Sequence, residues 1–287
     1  IKKLLIIFIL IIASETNHSK VLALNNYDFD DFGLISVMYH RFNENKYPST
    51  NIQIDIFEKQ LEIINNEKIK FIHPKNFEQS LSKNKKERKI LLTIDDGLLS
   101  FYENAWPILK KRKIPFILFV NTREVGLYNY MNWSQILELY NSDNVEIGNH
   151  SHSHEYLADE SPEVIKRDIE KSIQIFKEKL GTNSKFFSYP FGEYSLVFKN
   201  IIKDLGFKYA FGQHSGVIDE TKDFWELPRF PINEKYGKIE RFKTLMKTLP
   251  FKYNKISPED KYLKQSNNPP IVNIEFIENI RNLKNIN

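Results

Sequence analysis

Strand-like and helix-like runs alternate along about 200 residues of this chain, and that alternation limits the folds open to it. Gly33–Tyr39 (G-L-I-S-V-M-Y) is apolar and β-prone. Asp55 then precedes F-E-K-Q-L-E-I-I-N-N, where Phe57, Leu61 and Ile64 recur at helical spacing. Strands are predicted at Ile69–Ile72, Ile90–Ile94, Pro115–Val120 and Val145–Gly148. Helices are predicted over 98–112 and over 133–140, the second behind Asn132 as its cap. The clearest helix has Ser161 as cap and Pro162 at its first position. Its Val164, Ile165, Ile169, Ile173, Phe176 and Leu180 repeat at threes and fours, and Gly181 is placed to end it. Strands near 185–189 and 207–211 flank a helix near 195–204. The pattern predicts an α/β chain with a parallel sheet, open or closed into a barrel. After Pro231 it weakens, and residues 233–287, with Pro269-Pro270, read as a small irregular C-terminal extension.

Composition supports a folded chain. Of 287 residues, 41% are hydrophobic and 14% aromatic, enough for a full core. The net charge of +4 arises from 41 basic and 37 acidic residues, a mixed surface and not a nucleic-acid footprint. The basic run Lys83–Lys89 reads as a solvated loop. There is no cysteine, which excludes disulfides, thiolate catalysis and Cys-type zinc sites. Any metal must be held by His and carboxylates. At the N-terminus Lys2 and Lys3 precede the apolar run Leu4–Ala13, shorter than the roughly 20 residues of a membrane span. Residues 1–25 therefore read as a signal peptide, with a retained N-terminal anchor as the alternative. The expected location is outside the cytoplasm: periplasmic, secreted, or on the outer face of the cytoplasmic membrane. Membrane contact is expected only through an uncleaved N-terminal segment.

Two motifs carry chemistry. T-I-D-D-G, Thr93–Gly97, puts adjacent acids at the end of a predicted strand, where catalytic groups gather in β/α folds. Neighbours on an extended chain point in different directions, so one carboxylate can hold a metal while the other acts as a base. The bland reading is a turn. H-S-H-S-H brings His150, His152 and His154 to the end of Val145–Gly148, although the whole chain has only 7 histidines. The H-x-H-x-D-H pattern of metallo-β-lactamases fails at its fifth and sixth positions, His154 and Glu155, and the amidohydrolase H-x-H belongs after a first barrel strand, whereas several strands come earlier here. What is left is one carboxylate, two imidazoles and an open position for water.

Together T-I-D-D-G and H-S-H-S-H resemble the first two motifs of the polysaccharide deacetylases, the NodB-homology carbohydrate esterases. P-F-I-L-F-V, M-N-W-S-Q around Trp133, H-E-Y-L before the Ser161 helix, and F-S-Y-P-F-G, Phe187–Gly192, extend the likeness over roughly residues 33–232. The resemblance implies a distorted (β/α) barrel in a deacetylase domain over residues 30–232. It implies Asp95 as general base and Asp96, His150 and His154 as ligands of a divalent metal, usually Zn²⁺, with Co²⁺, Ni²⁺ or Fe²⁺ as alternatives. His152 fills a variable slot. Ser188 stands where the third motif usually carries an Arg, and Arg229 in L-P-R-F-P is a candidate substitute and substrate contact. The late Leu-His motif that supplies the catalytic acid is not evident. His40, in S-V-M-Y-H-R-F, resembles the Tyr-His of the subgroup acting on β-1,6-linked poly-N-acetylglucosamine, and His214 is the other candidate. Tyr189, Phe191, Trp133 and Trp225 are candidate sugar platforms, and the Tyr189 N–H a candidate oxyanion donor.

The reading is hydrolysis of acetyl groups, N-acetyl first, from a polysaccharide, with Asp95 activating a water held at the metal. The alternatives are an O-acetyl esterase on the same scaffold, a catalytically silent glycan-binding module and, more remotely, a metallophosphatase.

Overall fold

The structure, a computed structural model, describes residues 31–82, 86–260 and 271–276. The expected signal segment 1–25, Lys83–Lys85 of the basic run and the Pro269-Pro270 pair lie outside the described residues. The strands are β1 Leu34–Tyr39, β2 Arg41–Phe42, β3 Asn51–Ile52, β4 Lys70–Phe71, β5 Lys89–Ile94, β6 Phe116–Val120, β7 Val145–Asn149, β8 Phe186–Ser188, β9 Tyr209–Phe211, β10 Val217–Ile218, β11 Phe230–Pro231, β12 Tyr253–Ser257 and β13 Asn273–Phe276. The helices are α1 Ile54–Asn66, α2 Phe77–Ser82, α3 Trp106–Arg112, α4 Trp133–Tyr140, α5 Pro162–Leu180, α6 Leu196–Asp204 and α7 Ile239–Leu245. Among the described residues no helix is long and apolar enough to cross a membrane.

Strands β1, β5, β6, β7, β8 and β9 lie side by side, each parallel to the next. The gap between β9 and β1 is bridged by one segment. Its Leu227 pairs in parallel with Phe211 of β9, and its Phe230 and Pro231 pair with Val37 and Met38 of β1. The lower half of that edge of β1 is taken by β10, antiparallel. The result is a distorted (β/α) barrel, and its closing segment carries Arg229.

Strand alternation sorts the apolar residues into two layers. Ile90, Leu92, Ile94, Phe116, Leu118 and Val120 face the helices, whereas Leu91, Ile117, Phe119, Phe186 and Phe211 fill the interior. Phe77 of α2 packs edge-on against Phe186 and Tyr209 and contributes to that interior cluster. The inward rows therefore end, at the C-terminal ends of the strands, in a mouth where polar side chains take over.

The expected helices are present, and both predicted caps are in place: Asn132 accepts from the Gln135 N–H at 3.0 Å and Ser161 from Val164 at 3.4 Å. The stretch 98–112 differs from a single α-helix. Phe101–Ala105 is π-helical and passes into α3 at Trp106, whose N–H reaches the Phe101 carbonyl. Pro107 lacks the N–H that an α-helical bond to residue 103 would need, which favours the shifted register. Nor is the start of the C-terminal extension irregular. Helix α7 buries Phe242 and Leu245, followed by Met246, in the same core as Phe57 and Leu61.

Candidate active site

Asp95 continues the inward row of Leu91 and Thr93. Its N–H donates to the Tyr39 carbonyl at 2.9 Å, extending the β1–β5 ladder past the strand end. The chain then turns into the left-handed region, with φ 75° at Asp96 and 67° at Gly97, which Asp and Gly tolerate better than most residues. The two carboxylates consequently diverge. Asp95 is fully buried, while the Asp96 side chain keeps 16% exposure.

On β7, Val145 and Ile147 face the helices, so Gly148 and His150 face inward. A Cβ on Gly148 would lie 2.3 Å from the Phe119 ring, so this position needs glycine. Beyond the strand, Ser151 (φ 68°) and His154 (φ 53°) fold the loop back until the His150 and His154 rings are 4.9 Å apart. Their Nε2 atoms lie 3.4 and 3.3 Å from Asp96 Oδ1. His150 Nδ1 is 2.7 Å from the Ser188 carbonyl, which can only accept. Nδ1 therefore carries a proton, and Nε2 is the ring nitrogen turned to the site.

Asp96 Oδ1 is buried without a hydrogen-bond partner. Two imidazole nitrogens and one carboxylate oxygen thus converge within 4.8 Å of one another. Two imidazoles and a carboxylate, with one side open to the mouth, are a donor set that fits a divalent cation. Burial would raise the Asp96 carboxyl, but His150, His154 and the nearby His40 hold it well below the carboxylate range. His152 is not in the group; its Nδ1 sits 2.8 Å from the Thr122 hydroxyl.

Asp95 is held from the opposite side. Arg229 Nη1 donates to Oδ1 at 2.7 Å and Nη2 to Oδ2 at 2.8 Å. The Ser188 hydroxyl donates to Oδ2 at 3.1 Å and accepts from Arg229 Nη2 at 2.8 Å. Arg229 also donates to Thr93 Oγ1 and the Gly212 carbonyl, and stacks over the Phe119 and Phe211 rings. Burial alone would raise the Asp95 carboxyl; Arg229 and His150 reverse this and keep it below its ordinary value. It is ionised at neutral pH; Oδ1 is bonded to Arg229, and Oδ2 lies 3.8 Å from His150 Nε2, at the edge of the cradle.

Several expected site residues stand elsewhere than expected. Arg229 is fully buried, its donors spent on Asp95 and its neighbours, so it orients that carboxylate and does not face a substrate. Tyr189 is also fully buried, its hydroxyl bonded to the Trp225 carbonyl at 2.9 Å, which leaves no face for a sugar. Its N–H donates to the Phe211 carbonyl at 3.0 Å and is unavailable to an oxyanion. Trp133 packs half-buried against the outer core, and Trp225 is half-buried with its indole N–H on the Phe207 carbonyl. Phe191 does line the mouth: 50% exposed, its ring lies 4.8 Å from that of His154 and 6.1 Å from Tyr156. His40, at the end of β1, feels the charges of Asp96, Asp95, Arg229 and His150. Burial lowers its imidazole and the two carboxylates raise it, with the balance below its ordinary value. His214 is exposed, its ring 6.4 Å from that of Tyr194.

Sequence reasoning passed over Ser188, Thr93 and Asp168. Ser188 had a signal, since it occupies the slot where an Arg is usual. Asp168 had none, because a lone acid in an amphipathic helix looks like solvated surface.

Residues 82–210 match the sequence profile of polysaccharide deacetylases. Poly-β-1,6-N-acetyl-D-glucosamine N-deacetylase of Staphylococcus aureus is 26% identical over 231 residues, 75% of this chain and 80% of that protein. The enzyme of the same name from Staphylococcus epidermidis is 26% identical over 205 residues, covering 67% and 69%. Among solved structures, IcaB from Ammonifex degensii superposes with a TM-score of 0.68 at 26% identity, covering 76% of this chain and 99% of that one. The Streptococcus pyogenes deacetylase PplD, solved with acetate, shares the fold with a TM-score of 0.68 at 23% identity, covering 76% and 100%. Matching motifs on a matching barrel thus converge on one conclusion: residues 82–210 carry a polysaccharide deacetylase domain, and the chain is similar to deacetylase hydrolases over about three quarters of its length.

Proposed function

We propose that this deacetylase removes N-acetyl groups from a poly-N-acetylglucosamine outside the cytoplasm, with a divalent metal, Zn²⁺ first, held by Asp96, His150 and His154. The observation that carries the metal assignment is the buried Asp96 Oδ1, without a hydrogen-bond partner, between the Nε2 atoms of two imidazoles. The polymer rests on the 26% identity to enzymes named for poly-β-1,6-N-acetyl-D-glucosamine and on His40 closing β1. Export rests on the apolar run at residues 4–13. The deacetylase domain on this reading runs past residue 232, because α7 shares its core.

A cation in this cradle would polarise the acetamide carbonyl and lower the pKa of a water. The chain's own residues do the rest. Asp95, an anion fixed on both oxygens by Arg229 and Ser188 and 3.8 Å from His150 Nε2, offers a carboxylate lone pair to the proton of the attacking water. Its geometry is fixed before substrate arrives, so none of the barrier is spent orienting the base. His40 faces the same two carboxylates and protonates the departing amine. An imidazole held below its ordinary value is a stronger acid once charged. Phe191 offers the exposed aromatic face beside the mouth on which a sugar ring can lie.

The test is acetate release from an N-acetylglucosamine oligomer by protein loaded with Zn²⁺ or Co²⁺. Chelation should abolish release and metal should restore it. Asp95→Asn should lower kcat by about 10²–10⁴ with the metal still bound, and His40→Ala by a similar factor while His214→Ala changes it little. An Asp95→Asn enzyme at wild-type rate would remove the base assignment. Release from O-acetylated but not N-acetylated polymer would replace the amide by an ester.

A further inference from the structure

The loop that carries His150 and His154 has no regular structure to hold it, and two of its non-glycine residues are left-handed, Ser151 at φ 68° and His154 at φ 53°. Such a conformation persists only when its surroundings enforce it. The enforcement comes from one face of α5, where Asp168 and Ser172 stand one turn apart. Asp168 Oδ1 accepts from the His152 N–H at 2.8 Å, and Oδ2 accepts from the Ser153 N–H at 3.1 Å. Ser172, fully buried, bonds the Asn149 side chain, and Asn149 Oδ1 in turn accepts from the Ser151 N–H at 2.9 Å. Ser151 Oγ then accepts from the His154 N–H at 3.0 Å.

Successive N–H groups from Ser151 to His154 are thus all spoken for, and the middle two end on a single carboxylate. An anion that gathers two backbone donors makes charge-assisted bonds and fixes both peptide planes. Those planes lie between the two imidazoles, so they set the distance and angle between the two Nε2 atoms. Nothing in the site itself needs Asp168, since it touches neither imidazole ring nor Asp96.

We propose that Asp168 is the positioning residue of this site: by clamping the N–H groups of His152 and Ser153 it holds His150 and His154 in the pose that lets both bind one metal with Asp96. The inference rests on the metal assignment above. A merely structural Asp168 would move stability alone; a positioning Asp168 moves metal affinity in protein that remains folded. Asp168→Ala removes both acceptors. Asp168→Asn keeps one and sets an amide NH₂ against the other donor. Asp168→Glu keeps the charge on a longer arm.

The experiment titrates the metal-free full chain with Co²⁺, following the visible absorption that reports ligand geometry, with circular dichroism recording the folded fraction. Wild type should take up one Co²⁺. Asp168→Ala should weaken binding by about 10–100-fold with an altered absorption envelope, Asp168→Asn should fall between, and Asp168→Glu should recover part of the loss. Glu170→Gln, an exposed neighbour on α5, should bind as wild type. Folded Ala and Asn variants that keep wild-type affinity and spectrum would overturn the proposal, as would affinity lost only in proportion to unfolding. If Asp168→Ala does not fold, the near-isosteric Asn variant decides. A wild type that takes up no Co²⁺, or whose uptake survives His150→Ala and His154→Ala, defeats the metal assignment itself and removes this proposal with it.

Discussion

Arg229 is a fully buried cation paired with the fully buried anion of Asp95. Each charge is tolerable inside the barrel because the other is there, and Ser188 and Thr93 take up donors and acceptors that would otherwise go unmet. Arg229→Met therefore strands a carboxylate in an apolar surround. Breaking such a pair from one side costs about 3–5 kcal/mol, several times an exposed ion pair. Urea unfolding should show that loss, and acetate release should fall because Asp95 loses its orientation. The double variant Asp95→Asn/Arg229→Met contains no unpaired charge and should be more stable than Arg229→Met alone. Equal or lower stability of the double variant would mean that the pair is not what holds this end of the barrel. The pair joins positions 134 apart in sequence, and nothing local marks it. Asp95, Asp96, His150 and His154 were legible because short motifs carry them. The partner of Asp95 was legible only as a candidate, Arg229 standing in for the Arg missing from the third motif, because it is the barrel closure that creates the contact.

At the scale of elements, the helical stretch around α3 is tied to α4 through one side chain. Glu138 accepts from the Tyr102 hydroxyl at 2.6 Å, the Lys110 ammonium at 2.9 Å and the Trp106 indole at 3.2 Å. Tyr102, Trp106 and Lys110 lie on one face at intervals of four, so the three donors converge. They pull the Glu138 carboxyl down to about 2, led by the tyrosine hydroxyl. A carboxyl whose folded pKa is depressed stabilises the protein above its unfolded value, near 4.3, and loses that contribution as pH falls toward the folded value. With its side chain 40% exposed, solvent screening limits the tie to about 1 kcal/mol or less. Glu138→Gln should lower Tm at pH 7 by about 2–4 °C, and the gap from wild type should close as pH falls from about 5 toward 2. A gap that persists unchanged at acid pH would assign the effect to packing. Periodicity revealed α4 and its Asn132 cap in advance because both are local. The π-helical turn before α3 is not legible in the sequence, because a shifted hydrogen-bond register leaves the side-chain pattern nearly intact.

Whole-molecule architecture joins the site to a segment the sequence left unassigned. I-E-R-F-K-T-L is too short, and too sparsely apolar, to announce a helix, and its cap position Lys238 makes no side-chain capping bond. Yet α7 places Phe242, Leu245 and Met246 in the main core. The Gly237 carbonyl just before it accepts from the buried Gln60 amide at 2.7 Å, and Gln60 Oε1 accepts from the Tyr39 hydroxyl at 2.8 Å. Tyr39 immediately precedes His40, so a chain of bonds runs from the extension to the end of β1. Three fully buried apolar side chains contribute roughly 5–9 kcal/mol, as an upper bound, against a total stability of about 5–15 kcal/mol for a typical domain. A chain ending after Ile232 should therefore be insoluble or lack a cooperative transition. A chain ending after Thr248 keeps α7 and the Arg88 bond to the Met246 carbonyl, and loses, among the described residues, the paired strands β12 and β13 and their flanks. It should unfold cooperatively and retain acetate release within about threefold of the full chain, because the removed strands touch neither the metal cradle nor Asp95. A fully active chain ending at Ile232 would show that α7 merely decorates the barrel; an inactive but folded chain ending at Thr248 would place the removed segment in substrate binding.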